Sequence, residues 1–185
     1  MYYHKVLEAK LVLGDKIIIS LGTEFIENEK EDVSKQDCEL NAAKRLLKRI
    51  KQEYPKLPVC TQGDVLYGAE PVMELCRKNG WKYIFSQKET RQRLAAENYN
   101  LLSEEDKTKK TGIKIGKEEG TGCYYNHIEK LAGKKEIMNV YEYSYLNSNV
   151  MKNHYRLTQN VTVDNLPKRI SSLWNVLNNR QYALI

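Results

Sequence analysis

Asp64 is the side chain whose position in the sequence points most directly to chemistry. It follows "KLPVCTQG", where Leu57, Pro58, Val59 and Cys60 open a buried strand over 57–63, and it precedes a turn and a new helix. The end of a strand in an α/β chain is where such folds present reacting groups, and a carboxylate there offers oxygen ligands to a hard cation. The competing reading is structural, with Asp64 as a turn or cap residue. Four cysteines, Cys38, Cys60, Cys76 and Cys123, form no CxxC pair and have no metal-like spacing with His4, His127 or His154. Three of them sit on apolar stretches and read as small reduced core residues, and a structural zinc site is not expected.

Basic residues gather in "AAKRLLKRIKQEYPK" (43–56), "KETRQR" (88–93) and "KTKKTGIKIGK" (107–117), whereas "TEFIENEKED" (23–32) is acidic. Each basic run reads either as a solvated face or as part of a surface for a polyanion. The net charge of +6, from 30 Lys plus Arg against 24 Asp plus Glu, permits such a partner without requiring one. With 41% hydrophobic and 29% charged residues, the 185-residue chain suits one globular domain burying roughly 70% of its unfolded surface. No window approaches the ~18 apolar residues of a spanning helix, so no membrane association is expected and a cytoplasmic location is.

The elements that must position these side chains are legible as periodicities. "YHKVLEAKLVL" alternates like a strand, "GDK" turns the chain, and "IIISLGTEFIE" is a second strand, together predicting a hairpin. Glu8 falls on the alternating solvated face, and Glu24 and Glu27 read as surface charge after that strand. Cys38, Ala42, Ala43, Leu46, Leu47 and Ile50 form one apolar helical stripe that begins near Ser34 and ends before Pro55 and Pro58. The strand over 57–63 follows, then a helix in "EPVMELCRKNG", with Pro71 in its first turn and Asn79-Gly80 as its stop, then the strand "WKYIFSQ". This order implies a mixed sheet with helices on its faces. Beyond it come a short helix over 89–102, an exposed loop in "SEEDKTKKTG", Tyr- and Val-rich antiparallel strands, and a final helix in "NLPKRISSLWNVLNN". Within those strands, Tyr124 and Tyr125 read as sheet-face packing, with stacking on unpaired bases as the alternative.

Three strings, "YYHKVLEAKLVLGDKIIISLGTEFIENE", "KQDCELNAAKRLLKRIKQEYPKLPVCTQGDVLYGAEPV" and "ELCRKNGWKYIF", resemble the central part of DDE-type transposases of bacterial insertion sequences. The likeness is continuous over about residues 2–87, and "HIEKLAGKKEIMNVYEY" and "RLTQNVTVDNL" resemble the β-rich insertion such enzymes carry. The resemblance implies an α/β, RNase H-like mixed sheet flanked by helices and lacking its first strand. A partial core would occupy 1–87, and a β-rich insertion with a terminal helix 88–185, in one domain. It also implies DNA cleavage and strand transfer by three carboxylates holding two Mg²⁺ or Mn²⁺ ions. Asp64, with Tyr67 three residues on, matches the family's second acid and its D-x-x-Y wording, and is the implied catalytic and metal-binding residue.

The family's first aspartate ends a strand preceding the region where this sequence starts, so neither is expected here. Its third acid belongs to a W-x-I-E-N string whose nearest counterpart is "LWNVLNN", where Leu177 stands in the glutamate's place. Glu129 in "NHIEKLAG" is the alternative third acid. One ligand of three predicts a weak metal site or none. The expectation is therefore a truncated, catalytically incomplete transposase that binds DNA through Lys44, Arg45, Lys48, Arg49, Arg91, Arg93, Lys109, Lys110 and Lys114. An active strand-transferring enzyme and an inert remnant are the other two readings. A strand without its neighbour leaves an apolar edge at "KVLEAKLVL", which predicts a homodimer through that edge.

Overall fold

The computed structural model describes residues 5–13, 17–26, 35–86, 93–115, 118–131, 134–147 and 150–159. Within them the chain is mixed α/β, with three helices and two sheets. Strands β1 (Lys5–Leu13) and β2 (Ile17–Ile26) pair antiparallel with a bulge at Ala9/Lys10, forming a two-stranded sheet of their own. Helix α1 (Lys35–Glu53) follows, then β3 (Cys60–Gly63), α2 (Glu70–Lys78) and β4 (Lys82–Ser86). After α3 (Arg93–Leu101) the chain runs through β5 (Thr108–Ile115), β6 (Glu118–Leu131), β7 (Lys134–Asn147) and β8 (Val150–Gln159). The larger sheet has the order β3-β4-β8-β7-β6-β5, with β3 and β4 parallel and every other neighbouring pair antiparallel.

The stripe of α1 goes where its spacing demands. Ala42, Ala43, Leu46, Leu47 and Ile50 are all fully buried, against Leu7 and Ala9 of β1, Val72, Met73 and Cys76 of α2, and Tyr83 and Phe85 of β4. Burying the two leucines and the isoleucine is worth about 1.5–3 kcal/mol each, and the two alanines let the helix approach closely, so α1 ties the hairpin to the larger sheet. Pro55 and Pro58 close it off: Tyr54 N–H still reaches the Ile50 carbonyl at 2.8 Å, and Lys51 Nζ donates to the carbonyls of Pro55 at 2.9 Å and Asn79 at 3.2 Å. Helix α2 starts with Pro71 in its first turn and turns off at Asn79 and Gly80.

Three expectations are corrected here. The strand expected over about 57–63 is shorter, Cys60–Gly63, with the Val59 carbonyl just before it accepting the Lys82 N–H at 2.9 Å and Pro58 having no N–H to give the ladder. The loop expected in "SEEDKTKKTG" gives way to β5 at Thr108, whose partner Tyr124 lies on β6. The mixed sheet expected to include the hairpin is divided in two, since no strand among the described residues joins β1 to β3. The helix expected over 89–102 is present as Arg93–Leu101, and residues 87–92 lie outside the described residues. The expected terminal helix with Trp174, Leu177 and Asn178 lies outside them too.

The β-rich half continues the sheet. Strand β8 pairs with both β4 and β7, and one register row crosses five strands: Gly63, Phe85, Thr158, Val140 and Tyr125. Helix α3 buries Ala95 and Tyr99 against Ile128, Met138 and Val140 of β6 and β7. Tyr141 of β7 lies across β6 where Gly122 leaves room. A Cβ on Gly122 would meet the Tyr141 ring at 2.8 Å, so only glycine fits beneath that ring.

Candidate metal and nucleic-acid site

Asp64 sits immediately past the last residue of β3, exposed, on an edge strand of the six-stranded sheet. Its Oδ1 accepts the Leu66 N–H at 2.9 Å and its carbonyl accepts the Tyr67 N–H at 3.2 Å. The carboxylate thus closes an Asx-type turn while the residue stays exposed. Behind it Tyr67 is buried, and its ring presses on Gly63, where a Cβ would meet the ring at 3.0 Å. Burial, and then the negative charges of Asp64 and Glu39, hold the Tyr67 hydroxyl well above its ordinary range. Tyr67 is therefore a neutral phenol that props the turn from beneath. Glu39 on α1 is in turn paired with Lys5 of β1 at 3.6 Å.

No three His, Cys, Asp or Glu side chains come together to hold a metal ion among the described residues. Glu129 is on β6, four strand steps from β3 and about 19 Å away across the sheet at ~4.8 Å per step. It stands opposite Ile137 of β7, and its side chain lies outside the described residues. The sheet order therefore does not bring Glu129 beside Asp64. A two-cation set needs several carboxylates at one point, and the described residues supply Asp64 alone, so this donor set does not fit it.

The basic residues divide into two kinds. Arg45 and Arg49, one turn apart on α1, clamp the hairpin. Arg45 Nε donates to Glu24 Oε1 at 2.6 Å, and an Arg49 guanidinium N–H donates to Glu24 Oε2 at 3.0 Å. Their remaining N–H groups reach the carbonyls of Phe25 at 3.1 Å and Thr23 at 2.6 Å. Glu24 lies within β2 with its side chain only 16% exposed. The surface charge expected there is thus an internal anchor, because two guanidiniums and the helix close over it. The missed signal was the Arg-x-x-x-Arg spacing, which sets two forks on one helix face. Arg93 is paired with Glu97 at 2.6 Å on the exposed side of α3.

Lys48 and Lys109 are exposed on α1 and β5, and Lys44 is half-buried. Lys110 and Lys114 occupy β5 opposite Gly122 and Glu119, with side chains outside the described residues, as is all of Arg91. Tyr124 is buried and Tyr125 packs toward α3, so both serve the sheet and neither offers an open stacking platform. Among the described residues no helix is long and apolar enough to cross a membrane. No protein-family model matches the chain, and no curated protein matches it.

Proposed function

We propose that this chain is a DNA-binding protein of the DDE-transposase kind, with an RNase H-like core in which Asp64 is the only acid of the metal set among the described residues. The observation that carries the reading is Asp64 itself: an exposed carboxylate just past the C-terminal end of a parallel strand, ahead of the turn to α2 and backed by the buried Tyr67 of the D-x-x-Y string. Support for the fold comes from the order hairpin, helix, strand, helix, strand, with β3 parallel to β4. Cations held by a full set of carboxylates would supply charge stabilisation to the attacking and leaving oxygens in a protein of this kind. Asp64 would contribute one ligand to such a set and does not make it up alone. Binding to the phosphate backbone falls to Lys48, Lys44, Lys109 and the neighbouring basic residues of β5, while Arg45 and Arg49 serve the fold.

Fluorescence anisotropy with a duplex oligonucleotide tests the reading. Affinity should fall with salt at roughly 0.9 log units per phosphate contact for each log unit of salt. No binding at about 50 mM salt, or binding indifferent to salt, overturns it. Incubation of supercoiled DNA with Mg²⁺ or Mn²⁺ tests the second part, with no nicking expected. Nicking that disappears in Asp64→Ala would assign the complete reaction to this chain.

A further inference from the structure

Strand β1 holds a symmetry that the DNA reading does not use. From Val6 to Val12 it reads Val-Leu-Glu-Ala-Lys-Leu-Val, the same in both directions about Ala9 except that Glu8 answers Lys10. Within the two-stranded sheet β1 pairs with β2 on one side, and its other edge has no strand partner among the described residues. Such an edge presents a row of N–H and C=O groups that a further strand can complete. The hairpin also carries an unusual amount of exposed apolar surface: Val6 51%, Ile18 63% and Phe25 57% exposed.

From these features we infer that two copies of this chain pair antiparallel through β1, about a two-fold axis at Ala9. In that register Val6 lies opposite the partner's Val12, and Leu7 opposite the partner's Leu11. Glu8 lies opposite the partner's Lys10, and the same contacts repeat across the axis. A one-residue slip from this register would oppose unlike residues and lose both charge pairs. The pairing of Val6 with Phe25 and of Val12 with Ile18 inside each hairpin puts those side chains on common faces. The joined sheet then carries a continuous apolar row of Ile18, Val12, the partner's Val6 and the partner's Phe25. Within one chain Glu8 and Lys10 approach to 3.3 Å on the same face of the strand, and Glu8 also bonds Ser20 of β2, so the contact between chains draws Glu8 from that bond toward the partner's Lys10. Opposite charges directly across a strand pair stabilise it and like charges oppose it.

Light scattering of the full chain should give twice the 21.6 kDa mass. Glu8→Lys places lysine against the partner's Lys10 at two positions per dimer, and Lys10→Glu places two acids together. Each reversal should weaken the dimer roughly tenfold to a hundredfold. An equimolar mixture of the two variants should recover the dimer, because every cross-strand position then meets its opposite charge. That recovery separates the contact between chains from the Glu8–Lys10 pair within one chain, which both variants lack. Circular dichroism melts check that each variant is folded. If a charge reversal unfolds the hairpin, Val6→Lys at an exposed position replaces it and must also weaken the dimer. A wild-type chain that stays monomeric, or a dimer indifferent to these substitutions, overturns the proposal.

Discussion

At the scale of single residues, the side chains that matter are defined by what they touch. Asp64 spends one oxygen on the Leu66 N–H, so its turn role and its exposed charge coexist. Glu24 is the clearest case of a charge with a structural task. Glu24→Gln keeps the shape but removes the charge that draws Arg45 and Arg49 inward. It should cost about 1 kcal/mol in urea unfolding, a modest sum because both arginines are part exposed. If α1 faces DNA, the same substitution should tighten duplex binding in anisotropy by releasing two guanidiniums. Burial also sets the alkaline limit of the fold. It pushes the Cys76 thiol up to about 11 from an ordinary 9.0, and raises Tyr67 and Tyr141 as well. The folded state keeps these groups neutral while the unfolded chain ionises them. For Cys76 the stabilisation is therefore complete below pH 9 and lost as pH rises through 11, whereas the two tyrosines lose theirs only above their ordinary 10.0 and at still higher pH. For Cys76 alone the loss should reach about 3 kcal/mol. Chemical denaturation across that range should reveal it, and Cys76→Ala should flatten the slope.

At the scale of elements, α1 governs the assembly of the described core. Its apolar stripe contacts the hairpin, α2 and the strand face that begins the larger sheet. Leu46→Ala would leave a cavity at the meeting point of these parts and should cost 2–5 kcal/mol, measured by thermal or urea unfolding. This much was legible in the sequence, since a stripe at helical spacing bounded by two prolines admits few other readings. The hairpin and the parallel β3–β4 unit were legible for the same reason. Strand β5 was not: "TKKTGIKI" is polar and glycine-containing, and it becomes a strand by pairing with β6. The turn chemistry at Asp64 was legible as well. Its distance from Glu129 was not, because that depends on the number of strands lying between them.

At the scale of the whole molecule, charge is unevenly committed. A net +6 suggests an affinity for polyanions, yet two of the four basic residues proposed on α1 are turned toward Glu24. The salt dependence of DNA binding should therefore be carried by lysines. Lys48→Ala should reduce the slope of log affinity against log salt by about 0.9, whereas a fold-anchoring arginine replaced by alanine should lower stability first. Salt titration of both variants beside their melting curves distinguishes the two roles. Association would double this charged surface without altering any single site.

What the sequence determined was local: the strand periodicity of the hairpin, the buried stripe of α1, and an acid set just past a strand and before a helix. These follow from patterns of two and 3.6 residues, which a short window contains in full. The tertiary structure alone decided that β4 would lie against β8, more than sixty residues later in the chain, and that Arg45 and Arg49 would close over Glu24. Such pairings depend on which surfaces remain to be buried once the local elements have formed, and no short window of residues encodes that choice.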